Sequence, residues 1–166
     1  MGLSLEAARL NIELFNRGFY KNIRAVLDFG AQDLHMNLDE FEALARACVL
    51  RHYSRADFAR LAAYPTDRMG TENFYKLFGI DSYLCVDIGG GSIGAGKNAT
   101  PEGMRWNAFP IDLNTPLSSL MSEQKFDLVT DYGNNEHAFH VAEAYRTMHR
   151  MCAPNGLMII FQERIG

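Results

Sequence analysis

Between positions 4 and 19 the apolar side chains recur at Leu5, Ala8, Ile12, Phe15 and Phe19, a spacing of three to four that puts one stripe on one helix face. Ser4 stands before them as the cap. The pattern then changes to Ala25-Val26-Leu27-Asp28-Phe29-Gly30, a short apolar run closed by an acid and a glycine. That is how a buried parallel strand reads at its carboxyl end. Four more segments read as strands, Tyr83 to Ile88, the weaker Trp106 to Asp112, Phe126 to Asp131, and Leu157 to Phe161, and the first three of them carry an acid at the end. Helical periodicity fills the intervals. Leu38, Phe41, Ala45 and Cys48 share a face, with Asn37 and Glu40 spaced as a capping box. A further helix is expected after Ser54, interrupted by Pro65, then a short one from Thr71 to the glycine stop at Gly79, and another from Pro116 to Gln124. The last helix carries Ala138, Val141, Ala142, Tyr145, Met148 and Cys152 on one face and ends at Pro154-Asn155-Gly156. Gly89 to Gly103 is glycine-rich and reads as loop.

Strands that alternate with helices require crossovers, and crossovers give a parallel sheet with helices on both faces. The expected fold is α/β: a doubly wound, mainly parallel sheet of about five strands. It forms a single domain over residues 1–166, with a helical insertion between the first two strands at about 34–80. The 166 residues are 48% apolar and 22% charged, which suits one globular core. A net charge of −4 and a pI near 5.7 provide no global attraction for nucleic acid or an anionic membrane. No apolar run approaches the roughly 18 residues of a membrane span, and the first fifteen residues lack the basic start and apolar centre of a signal peptide. The expected location is cytoplasmic. Glu6 stands where an N-myristoylation motif wants Ser or Thr. Cys48, Cys85 and Cys152 are odd in number, lie in apolar segments and read as free thiols, and Met148, Met151 and Met158 read as core.

In a doubly wound sheet the ligand lies beyond the carboxyl ends of the strands, where strand order reverses. Gly30, Asp87, Asp112 and Asp131 all fall at such ends. A carboxylate after the second strand can accept both hydroxyls of a ribose, and one after the third can accept the amino group of an adenine. Gly91 to Lys97 has the spacing of a phosphate-binding loop, but Asn98 stands where Ser or Thr must ligate magnesium, and Pro101 with Gly103 would break the helix that follows. His140 lies one turn after His137, with only Glu136 or Glu143 near as further ligands, and no metal is expected.

Val26 to Asp33, Tyr83 to Asp87, Phe109 to Leu113, Phe126 to Asp131 with Glu136-His137 behind, and Ala153 to Leu157 resemble the successive motifs of class I S-adenosylmethionine-dependent methyltransferases. The resemblance runs from about Arg24 to Phe161. It implies a Rossmann-like core that binds S-adenosylmethionine. Asp28, Gly30 and Gln32 would lie at the turn under the methionine part, Asp87 and Ile88 at the ribose, Asp112 and Leu113 at the adenine, and Asp131 and Tyr132 beside the methionine. The Glu136-His137 pair resembles that of ubiquinone-pathway O-methyltransferases, which makes His137 the candidate base and Glu136 its companion, although Gly133 holds the place of a further acid. The chain departs from the family where Gln32 and Leu34 replace glycines, and where it stops just after the fifth strand of a sheet that normally has seven. The expectation is therefore a methyltransferase truncated after that strand, with a small-molecule or glycan-like acceptor. An open strand-five edge would suit a second copy or a partner chain. The alternatives are a non-catalytic binding domain of this type and a P-loop-like nucleotide-binding protein.

Overall fold

The computed structural model describes residues 2–30, 33–34, 36–47, 71–80, 82–87, 108–116 and 123–162. The elements are strand β1 (Gly2–Leu3), helix α1 (Leu5–Asn16), β2 (Ala25–Phe29), β3 (Asp33–Leu34), α2 (Leu38–Ala47), α3 (Thr71–Lys76), β4 (Ser82–Asp87), β5 (Ala108–Pro110), β6 (Phe126–Tyr132), α4 (Val141–Met151) and β7 (Cys152–Phe161). The chain is an α/β protein with a parallel sheet in the order β5-β4-β2-β6-β7. Strand β2 is central, and Val26, Leu27, Asp28 and Phe29 are all buried.

Alternate residues along the strands enter two apolar clusters. Val26, Tyr83, Leu128 and Ile159 join Ala8, Ile12, Phe41, Phe74 and Tyr75, whereas Leu27, Phe29, Val86 and Val129 join Ala144, Met148 and Met151. Among the described residues no helix is long and apolar enough to cross a membrane.

Helix α1 begins as its sequence predicts, with the Ser4 hydroxyl accepting from Ala7 N–H at 3.2 Å. It ends a turn earlier than the stripe implied. Gly18 N–H reaches Phe15 C=O and Phe19 N–H reaches Leu14 C=O, a Schellman closure that leaves Phe19 57% exposed. The capping box of α2 is formed in both directions, Asn37 N–H to Glu40 Oε2 at 2.8 Å and Glu40 N–H to Asn37 Oδ1 at 2.9 Å.

Other expectations are corrected. The buried face of α4 is Ala144, Thr147, Met148 and Met151, while Val141 and Ala142 are exposed. A polar residue, Thr147, shares the core face, so an apolar-only stripe is drawn a quarter-turn away. Glu136-His137 does not open this helix but lies in a single 3-10 turn, Asn135–His137. Strand β5 stops at Pro110, which has no N–H to extend a ladder. Met158 lies on the exposed side of the edge strand β7, at 36% exposure, rather than in the core. Strands β1 and β3 pair in parallel as a separate two-residue ribbon that no periodicity could announce. Cys85 is buried and Cys152 half-buried, both free thiols. Cys48, the helix after Ser54, the Gly89 to Gly103 segment and most of the Pro116 to Gln124 helix lie outside the described residues.

Strand β7 meets β6 through a jump in register, Phe126 opposite Cys152 and then Leu128 opposite Leu157. Residues 153–156 loop out between these pairs. The loop closes tightly at Gly156, where a Cβ would sit 2.8 Å from Cys152 Sγ and 2.9 Å from the Ala153 carbonyl. Only glycine fits there without displacement.

Candidate functional site

Parallel strands share their polarity, so β2, β4, β5 and β6 end on one edge of the sheet. Register sharpens this: Phe29 pairs with Val86 and Asp131, and Asp87 pairs with Pro110. Backbone geometry thus gathers Gly30, Asp87, Asp112 and Asp131 on that edge. The chain runs outward from β2 to β4 and β5, then crosses back to β6, so strand order reverses beside β2. Gly30 turns the chain there with φ +92°, a left-handed conformation natural to glycine, and its N–H donates to the Val86 carbonyl at 2.8 Å. Gln32, Ile88 and the side chain of Asp87 lie outside what is described.

A cleft of about 120 Å³ opens on this edge between two loops, lined by Ile111, Asp112, Leu113 and Asn114 on one side and Asn134, His137 and Ala138 on the other. Pockets for drug-sized ligands run to roughly 300–1,000 Å³, so this cleft is smaller than such a pocket. Asp112, Leu113 and His137, singled out from the sequence for separate reasons, therefore line the same cleft.

The first loop is built around Asp112. Its carbonyl accepts from Thr115 N–H at 3.1 Å and Thr115 Oγ1 at 3.0 Å. Its Oδ1 accepts from the Asn114 backbone N–H at 2.9 Å and from Asn114 Nδ2 at 3.0 Å. The carboxylate is exposed, and among the described residues no donor reaches Oδ2.

The second loop is built around Asp131. Its Oδ1 accepts from the N–H groups of Asn134 at 2.8 Å and Asn135 at 3.2 Å, and Gln162 Nε2 donates to Oδ2 at 2.5 Å. Burial pushes this carboxyl up, and the bonds from Asn134, Asn135 and Gln162 hold it down in part. Asp131 thus fixes the 3-10 turn that carries Glu136 and His137. His137 Nε2 lies 3.7 Å from Glu136 Oε1, and its side chain is 69% exposed against 21% for the glutamate. The ring is open to solvent at the cleft, within charge contact of a half-buried carboxylate.

Asp28 and Tyr132 are placed differently. Asp28 is wholly buried, its Oδ1 accepting from Thr130 Oγ1 at 2.8 Å and its Oδ2 from Tyr83 OH at 3.0 Å. Burial pushes its carboxyl up from 3.8 to about 8, and the two hydroxyls, Thr130 and then Tyr83, offset part of that rise. The Tyr132 hydroxyl lies between Tyr75 OH at 3.0 Å and the amide of Asn11 on α1, whose Nδ2 is at 2.8 Å and which also receives the Tyr20 hydroxyl. Burial raises all four tyrosines above their ordinary range. The result is a hydroxyl network within the core, beneath the strand ends.

Sequence reasoning missed Asn114, Gln162, Asn11 and Thr130. Only Asn114 left a trace, as an Asx-turn position two residues after Asp112. Among the described residues no three His, Cys, Asp or Glu side chains gather as a metal site. No family model, curated protein or solved structure matches the chain.

Proposed function

We propose that the chain is a Rossmann-like domain with helices on both faces of its sheet. It binds S-adenosylmethionine along the carboxyl edge and transfers the methyl group to a small-molecule or glycan-like acceptor. The observation that carries this reading is the cleft at the carboxyl edge, where Asp112 and Leu113, placed at the adenine by motif resemblance, lie on one loop and His137, placed as the base, lies on the other. The residues suit the group in two respects. An exposed carboxylate with one oxygen held and the other open can accept an amino donor, and Ile111 and Leu113 line the cleft beside it with apolar surface. Gly30 brings backbone close to the same edge, and Asp87 ends the adjacent strand at the level expected for ribose contacts.

The cofactor supplies an electrophilic methyl group on a sulfonium, whose departing thioether is neutral and needs no acid. The chain's task is then alignment and removal of the acceptor's proton. His137 takes that proton at a ring nitrogen, with Glu136 Oε1 3.7 Å from Nε2. Asp131 holds the turn on which both stand, and Asp28 with Tyr132 contributes from beneath by fixing the ends of β2 and β6. Calorimetric titration with S-adenosylhomocysteine, with ATP and magnesium as control ligand, tests this. Binding of the first alone supports the reading, and binding of neither removes it.

A second reading, a non-catalytic domain that recruits a partner, is favoured by one observation. The edge strand β7 pairs only with β6 among the described residues and exposes Met158 and Ile160 at 36% and 42%. Concentration-dependent association without cofactor affinity would select it.

A further inference from the structure

The two walls of the cleft are each braced internally. Asp112 and Thr115 close the β5 loop on itself, and Asp131 closes the β6 loop through Asn134 and Asn135, with His137 N–H on the Asn134 carbonyl and Ala138 N–H on that of Asn135. Nothing in either set crosses the gap. Among the described residues one hydrogen bond does: His140 N–H donates to Asn114 Oδ1 at 2.9 Å. The same amide donates through Nδ2 to Asp112 Oδ1 at 3.0 Å. Its orientation is therefore fixed at both ends, since a flipped amide would put its NH2 against the His140 N–H and its oxygen against a carboxylate.

We propose that Asn114 is the positioning residue of the cleft, holding one oxygen of Asp112 so that the other is presented to the exocyclic amino group of a purine, and tying that wall to the turn that carries His137. The ligand half rests on the cofactor reading above, whereas the tie across the cleft does not. Two donors from one residue, the backbone N–H and Nδ2, converge on Asp112 Oδ1 and leave Oδ2 as the available acceptor. An ionised acceptor strengthens both bonds. A carboxylate held in this way accepts from a 6-amino purine but meets the lone pairs of a 6-oxo purine, which leaves a polar group unmatched. Asn114 thereby becomes a specificity determinant without touching the base. On the far side its oxygen anchors the residue that precedes α4, while Phe139, one position earlier, stands 88% exposed on the pinned turn.

The test uses the full chain with Asn114→Ala and Asn114→Asp. Binding of S-adenosylhomocysteine and of its 6-oxo counterpart, S-inosylhomocysteine, is compared by calorimetry. The wild-type chain is expected to prefer the amino form tenfold or more, and Asn114→Ala is expected to bring that preference within about threefold without lowering the thermal midpoint by more than a few degrees. A residue with a merely structural role would weaken both ligands equally and leave the ratio intact, and that result overturns the presentation role. Asn114→Asp keeps an acceptor for His140 N–H but loses the donor to Asp112. It is expected to lose the discrimination yet exchange the His140 amide at the wild-type rate, whereas Asn114→Ala loses the discrimination and exchanges that amide faster. Unchanged His140 exchange in Asn114→Ala overturns the tie. Failure of the wild-type chain to bind either compound overturns the cofactor reading and the presentation role with it, while the exchange measurement still decides the tie.

Discussion

Replacement of Asp28 by Asn tests the interior beneath the candidate site. Asp28 is wholly buried, accepts from Tyr83 and Thr130, and has Asp131 as a like charge nearby, with Tyr75 and Tyr132 as its other titratable neighbours. Burial raises its carboxyl from 3.8 to about 8. Between those values the native state holds a proton that the unfolded chain has released. The stabilisation is thus fully present below about 3.8 and is lost as pH rises through about 8. Each pH unit in that window costs about 1.4 kcal/mol, so passing from pH 5 to 7.5 should remove about 3 kcal/mol. That is a large part of the roughly 5–15 kcal/mol that holds a domain together. Asn has no proton to lose. Its amide can still meet both neighbours, because the Thr130 hydroxyl can turn to the Leu27 carbonyl 3.5 Å away. Urea unfolding of both chains at half-unit steps from pH 5 to 8 measures the difference. The two chains differ at residue 28 alone, so the difference isolates Asp28. Equal slopes, or a wild-type chain that gains stability toward pH 7.5 relative to Asp28→Asn, would refute the reasoning.

Three further outcomes are expected. The proposed function predicts that His137→Ala lowers methyl transfer by about 10²–10⁴-fold, far more than it weakens S-adenosylhomocysteine, and equal loss in both would remove the base role. Gly156→Ala should destabilise the fold by ~1–3 kcal/mol in urea, because the added methyl meets Cys152 Sγ at 2.8 Å and two backbone carbonyls at 2.9 and 3.0 Å; a neutral effect would mean that the loop between Cys152 and Leu157 yields freely. Thr147→Val should stabilise by ~1 kcal/mol, since the Thr147 hydroxyl is buried on α4 without a partner among the described residues, and a lower melting midpoint would show that the hydroxyl is satisfied in solution.

The strands that frame the site were legible because each is a compact apolar run ending in an acid. Ala25–Phe29, Ser82–Asp87 and Phe126–Tyr132 lie where that pattern put them. The capping box at Asn37 and Glu40 was equally local, and equally readable. What could not be read was long-range register. Asp28 meets Tyr83 across 55 residues and Thr130 across 102, and only the pairing of β2 with both neighbours turns a strand-end acid into a buried, hydroxyl-bound one. The same holds for Asn11, which reaches Tyr132 from a helix 121 residues away. The face of α4 was misdrawn because Thr147 counts as polar in a periodicity search yet packs with Met148 and Met151. Asp112, Leu113 and His137 line one cleft because each lies in a segment that follows a strand end, β5 for the first two and β6 for the third.

The most direct test of the proposed function is titration of S-adenosylhomocysteine into the wild-type chain and Asp112→Ala in parallel. Binding by the wild-type chain, weakened at least tenfold in a variant that unfolds at an unchanged temperature, is the expected result. No binding by the wild-type chain, or binding that Asp112→Ala leaves intact, would contradict the placement of the cofactor's base in this cleft.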